Sequence, residues 1–294
     1  SASAASMNIT GEAVTFTGEN GSLYQPVYGT DDDLVLYLPF SRGNISTSNV
    51  SVYDRSPYGN DGQCYGGRYV DGCEWSSGKY GNGLFFNGTD DYILVPDSDI
   101  FTFSNDVNDT AFSLELWMNV IEDSITQMIM AKTDGSDTNR EWELQYRLDG
   151  TLRIILHDES VDDAQERIST DAAISVNQWH HVVATYDGRG GSLARNGLKL
   201  YVDGFEVAAT PGSAGGVYVV MENLGSDVSI GARSDPTSYF NGSIDEVKIY
   251  RRELTAEEIR THYLRGSGFG ASGAITADKF RVVNTSGSRI LEVN

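Results

Sequence analysis

The chain is poor in the residues that mark several common classes of protein. Only two of its 294 residues are cysteine, six are proline and four are histidine. So few Cys and His argue against a multi-disulfide framework or a zinc site. Basic residues are scarce too: 21 Lys and Arg stand against 42 Asp and Glu, for a net charge of −21. Nucleic acid needs a basic footprint, so it is excluded as a partner, and anionic membrane surfaces are disfavoured. No run approaches the roughly 18 apolar residues of a membrane span. Nor does any segment read as a leader with a basic start and an apolar middle. A soluble domain with no membrane insertion is expected.

Glycine, by contrast, is frequent (32), and aromatics make up 11% of the chain, with 16 Tyr. That composition fits many strands joined by tight turns. "LVLYLPF" (34–40) is apolar nearly throughout, as expected of a strand covered on both faces. "FSLELWMNV", "REWELQYRLDG", "TLRIILHD", "NQWHHVVATYDG" and "LKLYVDGFEVA" follow as further strands. "LDG" (148–150) and "VDG" (202–204) sit between strand-like runs and predict tight hairpin turns. Only "TAEEIRTHYLRG" reads as a helix, with Thr255 and Glu258 as a capping box and Gly266 as a stop. Strands at close spacing with almost no helix predict an all-β protein, an antiparallel sandwich or jelly roll.

Two features place the chain outside the cell. Cys64 and Cys73 stand nine residues apart in "DGQCYGGRYVDGC", a Gly- and Tyr-rich segment that a disulfide could close as a hairpin. Glycosylation sequons occur at Asn8, Asn20, Asn44, Asn49, Asn87, Asn108, Asn241 and Asn284. They are more numerous than this Asn and Ser/Thr content gives by chance. A secreted or cell-surface glycoprotein is expected.

In order along the chain come "GKYGNGLFFNGTDDYILVPDS", "FSLELWMNV", "NQWHHVVATYDG", "LKLYVDGFEVA", "SIGAR" and "FNGSIDEVKIYRRELTAEEI". Upstream lie "DDDLVLYLPF" and the turn "VYDRSPYGNDG". Each piece is weak alone, but the ordered set resembles the laminin-G-like, concanavalin A-like jelly-roll family over about residues 31–265. The resemblance implies two packed antiparallel sheets and an adhesive or binding role more often than catalysis. It also implies, frequently, a structural calcium ion.

That ion suggests a role for Asp245. Strict alternation along "SIDEVKIY" puts Asp245, Val247 and Ile249 on one face, so a carboxylate opens an apolar row. A buried carboxylate must be paired, hydrogen-bonded or metal-bound. Calcium takes carboxylate and carbonyl oxygens, and in folds of this type the last strand lies beside the first. Asp245 is therefore a candidate calcium ligand, with Asp33 and Asp54 as partners. The alternative is that Asp245 caps a turn by accepting backbone N–H bonds.

Other constellations are weaker. His180 and His181 read as packing residues. Glu141 and Glu143 share a strand face at a spacing that suits carboxylate-pair chemistry. Hydrolases on this fold resemble Glu-x-Asp-x-x-Glu, but here Glu143 stands in the middle and Tyr146 third, so no enzyme activity is expected. Trp142 and Trp75 are candidate ligand-binding residues, able to stack on sugar rings.

The flanks divide the chain into a β extension (1–30), the jelly roll (31–265) and a tail (266–294). In the tail "GSGFGASGAI" is a flexible linker, and "NTSGS" reads as the turn of a hairpin. Its pattern resembles the repeated β-units of fibre proteins. An isolated hairpin is marginal in water, so terminal strands could pair with other copies. Two functions remain open. One is a self-assembling surface protein, a homo-oligomer joined through its terminal β segments. The other is a calcium-dependent carbohydrate-binding module that meets glycans or another cell surface.

Overall fold

The computed structural model describes residues 7–10, 13–16, 31–40, 51–66, 74–122, 124–134, 136, 138–212, 217–233, 238–266, 280–283 and 289–293. The chain forms two compact units, one made of Gly29–Gly266 and one of Ser1–Tyr28 with Ser267–Asn294.

In the terminal unit, β1 (Met7–Thr10) pairs with β2 (Ala13–Phe16) as a two-stranded antiparallel sheet. The central unit begins with β3 (Leu34–Leu38), β4 (Ser51–Val52) and β5 (Gly62–Tyr65). Next come β6 (Glu74–Ser77), β7 (Asn82–Asn87), β8 (Tyr92–Val95) and β9 (Phe112–Val120). Four strands of similar length follow: β10 (Gln127–Thr133), β11 (Arg140–Tyr146), β12 (Leu152–Asp158) and β13 (Asp163–Ser169). The remaining central strands are β14 (Trp179–Tyr186), β15 (Leu198–Val202), β16 (Phe205–Glu206), β17 (Ala209–Pro211), β18 (Val228–Ile230) and β19 (Asn241–Tyr250). Helix α1 (Ala256–Gly266) closes that unit. In the tail, β20 (Phe280–Val283) and β21 (Arg289–Val293) form a second two-stranded antiparallel sheet.

The central strands make two antiparallel sheets. One has nine strands in the order β17-β13-β12-β11-β10-β18-β8-β5-β4. The other has the order β16-β15-β14-β9-β19-β7-β6, with β3 added on β19. Alternation places Trp142, Leu144 and Tyr146 of β11 and Leu152, Ile154 and Leu156 of β12 in the core between the sheets. Leu114, Leu116 and Met118 of β9 and Val182 and Ala184 of β14 meet them from the other side. Each large apolar side chain buried in this way contributes about 1.5–3 kcal/mol.

The hairpin signals are realised. Asp203 and Gly204 both take positive φ (51° and 80°), the conformation a two-residue turn needs between β15 and β16. At the other turn Gly150 has φ 77° and its N–H donates to the Arg147 carbonyl at 2.9 Å. The capping box forms as well. Glu258 N–H donates to Thr255 Oγ1 (3.2 Å), while Thr255 N–H donates to Glu258 Oε2 (2.9 Å).

Helix α1 lies against the outer face of the eight-stranded sheet, where Leu254 and Ile259 pack with Leu34, Val183, Tyr201 and Tyr250. Beneath it Glu115 is fully buried and accepts from Lys248 Nζ at 2.9 Å. His262 Nδ1 of the helix lies 2.8 Å from the same carboxylate, and His181 Nε2 lies 3.2 Å from it.

One strand departs from its expected phase. Ile244, Val247 and Ile249 belong to the core, a spacing of three and then two. The cause is a bulge: the register to β9 shifts between Asp245 and Lys248, and Glu246 has φ 55°. Asp245 pairs with Trp117, while Ile244 pairs with the core residue Met118. The carboxylate therefore faces outward from the sandwich and does not open the apolar row.

Candidate functional site

Asp245 is fully buried on that outer face, yet it is a cap for a turn. Its Oδ2 accepts from Tyr80 N–H at 2.9 Å and its Oδ1 from Glu246 N–H at 2.9 Å. Gly78, whose N–H closes the turn on the Gly81 carbonyl, is pressed against it. A Cβ there would come within 2.6 Å of Asp245 Oδ2. Burial pushes the Asp245 carboxyl up to about 8, with the Tyr80 bond pulling down and the charge of Glu246 pushing up.

The expected calcium partners are elsewhere. β3 does lie beside β19, but antiparallel pairing sets Leu38 opposite Val247 and carries Asp33 to the far end, where its carbonyl accepts from Arg251 N–H. The five residues of β3, about 17 Å of strand, separate it from Asp245. Asp54 is a loop cap, accepting from the N–H groups of Tyr37, Ser56 and Asn60, each at 2.8 Å. Among the described residues no three His, Cys, Asp or Glu side chains are grouped to hold a metal ion. The donor set Asp245, Asp33 and Asp54 does not fit a calcium ion.

The two tryptophans part company. Trp142 is 0% exposed, packs with Phe103 and Phe112, and donates its Nε1–H to the Phe101 carbonyl at 3.0 Å. It is a core residue and cannot stack on a sugar. Trp75 is 38% exposed on the edge strand β6. Cys64 is disulfide-bonded, and the chain's other cysteine, Cys73, lies outside the described residues.

Of the sequons, Asn108 is exposed. Asn87 and Asn241 are direct cross-strand partners, and the Asn87 amide already donates to Asp90 Oδ1 at 2.7 Å. Asn8 lies in β1. Asn20, Asn44, Asn49 and Asn284 lie outside the described residues.

The strongest concentration of polar chemistry is on the outer face of the nine-stranded sheet. The residues that alternate with the core of β11 and β12 are Glu143 and Gln145, and Arg153, Ile155 and His157. Register brings Ala131 of β10 and Ser229 of β18 into line on one side of Glu143. On its other side stand Ile155 and then Glu166 of β13. Glu143 Oε2 accepts from Gln145 Nε2 at 2.7 Å. Its Oε1 lies 3.6 Å from His157 Nε2 and 3.5 Å from Arg233 Nε. Arg153 pairs with Glu166 and reaches Gln145 Oε1 at 3.4 Å.

Three tyrosines flank this array. Tyr65 and Tyr92 are cross-strand partners on β5 and β8, stacked with centroids 5.0 Å apart, and Tyr239 stands 6.3 Å from Tyr92. In line with Glu143, Ala131 and Ser229 are fully buried and lead to Leu94 of β8, two residues along from Tyr92.

Burial alone would raise Glu143. His157 and Arg233, with the bond from Gln145, outweigh it and hold the carboxylate below its ordinary range. Even so, Glu143 Oε1 and both ring nitrogens of His157 have no hydrogen-bond partner, although His157 is only 6% exposed. Buried polar atoms are rarely left so. Two glutamates and two arginines balance, so the array offers donors and acceptors without net charge. Glu141 belongs elsewhere: it accepts from Leu224 N–H at 2.9 Å and pairs with Lys132 at 2.7 Å, so it forms no open carboxylate pair with Glu143.

The sequence alone does not disclose this site, because its members come from five strands and the connection that carries Arg233 and Tyr239, and only the register assembles them. The available signal is the polar half of two alternating strands, "EWELQY" and "LRIILHD".

Known proteins frame the geometry. The family model of the concanavalin A-like lectin/glucanase superfamily, in its laminin-G form, matches residues 87–260, more than half of the chain. No curated protein sequence matches it. Among solved structures, the binding domain of Paraclostridial Mosquitocidal Protein 1 is similar at 18% identity and a TM-score of 0.56. That match covers 79% of this chain and 52% of the toxin domain. The botulinum neurotoxin serotype G binding domain matches at 15% identity and a TM-score of 0.56, over 80% of this chain and 51% of its own. This chain thus spans about half the length of the toxin domains. Domain 4 of AbnA, a GH43 extracellular arabinanase from Geobacillus stearothermophilus, was solved in complex with arabinotriose. It matches at 18% identity and a TM-score of 0.53, over 78% of this chain and 97% of that domain. At these identities the structural matches establish the fold, and the family model goes further: this chain belongs to the concanavalin A-like lectin/glucanase superfamily as a laminin-G-like domain.

Proposed function

We propose that this protein is an extracellular glycan-binding module that holds an uncharged sugar on the outer face of its nine-stranded sheet. The observation that carries the reading is the buried edge where Glu143 meets His157 and Arg233 only as long ion pairs of 3.5–3.6 Å with no close hydrogen bond, beside stacked tyrosines and a charge-balanced row. Sugar hydroxyls would supply the missing donors and acceptors, and tyrosine faces suit the apolar side of a pyranose or furanose ring. Opposed charges give planar, bidentate partners for vicinal hydroxyls without favouring an acidic ligand. The arabinanase domain, matched over almost its whole length, was solved with an uncharged oligosaccharide. The disulfide at Cys64 and the extracellular setting of that relative support a location outside the cell. Binding is read in preference to catalysis because Glu141 is taken up by Lys132 and by the Leu224 N–H and is not paired openly with Glu143.

The test is calorimetric titration of the intact chain with arabino-oligosaccharides and a panel of other neutral glycans. Tyr92→Ala and Glu143→Gln should each weaken the best ligand about tenfold or more, the scale of one charged hydrogen bond. Chelating calcium should leave binding unchanged. Failure of every neutral glycan to bind, or variants that bind like the parent, would sink the reading.

A second reading concerns the ends of the chain. β1–β2 and β20–β21 each form a two-stranded sheet of their own, and such hairpins are marginal alone. Strand addition between copies would complete them and make the protein a self-assembling surface subunit that displays the jelly roll. Light scattering of the full chain, and of one ending at Gly266, separates the two cases: an oligomer that dissolves on truncation supports assembly, and a monomer refutes it.

A further inference from the structure

A second polar cluster, away from the binding face, holds the buried amine of Lys132 against the carboxyl group of Asp97 at the surface. Lys132 of β10 is 0% exposed and cross-strand from Trp142 on one side and Val228 on the other. Its Nζ lies 2.7 Å from Asp97 Oδ1 and 2.7 Å from Glu141 Oε1. The carbonyl oxygens of Leu224 and Ser226, at 2.8 and 2.9 Å, complete its surroundings. Asp97 follows β8 by two residues, and its N–H is tied to Asp227 Oδ1 at 2.9 Å. Val95 of β8 and Lys132 of β10 both pair with Val228 of β18. Three strands in register therefore fix the amine and the carboxyl group in contact.

We propose that Lys132 and Asp97 are joined by an isopeptide bond that the folded chain forms by itself, with Glu141 as the proton relay. The Lys132 ammonium passes one proton to Glu141, and the freed lone pair attacks Asp97 Cγ. The new bond is Nζ–Cγ and the bond broken is Cγ–O. The departing oxygen leaves as water with two of the three ammonium hydrogens, one of them delivered by Glu141. Ammonium and carboxylate become amide and water, so charge and atoms balance with no co-reactant.

Three features favour the step here. Contact held by the sheet makes the reaction unimolecular, which is worth many orders of magnitude in effective concentration. The amine is sealed from water while Asp97 stands at the surface with a third of its side chain exposed, so the water produced leaves directly to solvent. Burial also pushes the Glu141 carboxyl up to about 7, against the pull of Lys132, so it both takes and gives a proton near neutral pH. The other buried lysine pair provides a contrast. Glu115 beside Lys248 is buried too, but Lys248, His262 and His181 hold it well below the ordinary carboxylate range, so it stays an ion and supplies no acid. The bond would staple the end of β8 to β10 across β18, closing a 35-residue separation in sequence. That end of the sheet carries the segment 217–227, which has no strand partner among the described residues.

The test is peptide mapping by mass spectrometry of the intact chain, purified folded, then reduced and deglycosylated. The expected result is one branched peptide containing residues 97 and 132, lighter than its two linear parts by one water. Asp97→Ala and Lys132→Arg should give linear peptides only. Glu141→Gln, which keeps both reacting groups, should lose most of the cross-link. Full-mass linear peptides from the parent chain would overturn the proposal and leave the cluster an ion pair. The parent chain alone decides this, whether or not a variant folds. A cross-link that persists at parental yield in Glu141→Gln would overturn the relay.

Discussion

Asp245 gives both of its carboxyl oxygens to main-chain donors, and burial sets how it responds to acid. Its ordinary pKa is 3.8 and its folded value about 8. Between those two the folded chain binds a proton that the unfolded chain does not, so this group's contribution is full below about pH 4 and is lost as pH rises toward 8. Asp245→Asn cannot ionise and should flatten that part of the stability-versus-pH curve, measured as the thermal midpoint from pH 4 to 8. An unchanged slope would refute the assignment. Trp142 makes the opposite kind of claim, about packing. Trp142→Ala should cost about 3–5 kcal/mol in denaturant unfolding, whereas Trp75→Ala should change stability little. Both residues show where the sequence is an incomplete guide. "EWELQY" already places Trp142 with Leu144 and Tyr146 on one face, but which face meets the core depends on the partner sheet. Alternation misplaces Asp245 for a local reason: a bulge at Glu246, a non-glycine residue at positive φ, leaves no mark in the residue pattern.

Among the elements, the segment from Val217 to Leu224 gives five of the chain's 42 acidic residues a structural use. It has no strand partner among the described residues, yet seven of its N–H groups donate to carboxylates. Val217 and Tyr218 donate to Asp163, Val219 and Val220 to Asp158, Met221 to Asp109, Asn223 to Asp106 and Leu224 to Glu141. Side chains here do what a neighbouring strand does elsewhere, and each buried N–H left without a partner costs about 1–3 kcal/mol. Asp158→Ala should therefore destabilise by about 2–6 kcal/mol, for two such N–H groups, and speed hydrogen exchange first at Val219 and Val220. Slow exchange there in the variant would contradict this role. A part of the chain's negative charge has this structural use. Hairpins and the helix were legible because Asp-Gly turns and the Thr255–Glu258 box act within a few residues. Carboxylate-to-backbone ties spanning 54 to 117 positions have no local signature.

At the scale of the whole molecule, the jelly roll was readable from ordered fragments that recur across a family, and the sheet order follows from it. The candidate binding face was not readable, since Tyr92, Glu143, His157 and Arg233 come together only through the pairing of β8, β18, β10, β11 and β12. Glycan binding therefore rests on one surface, and an amide chemical-shift map of the isotope-labelled chain titrated with an arabino-oligosaccharide probes that surface residue by residue. Shifts centred on Tyr92, Glu143, His157 and Arg233, with Trp75 and the terminal hairpins unmoved, are the expected result. Shifts centred on the Trp75 edge, or none at saturating sugar, would contradict it.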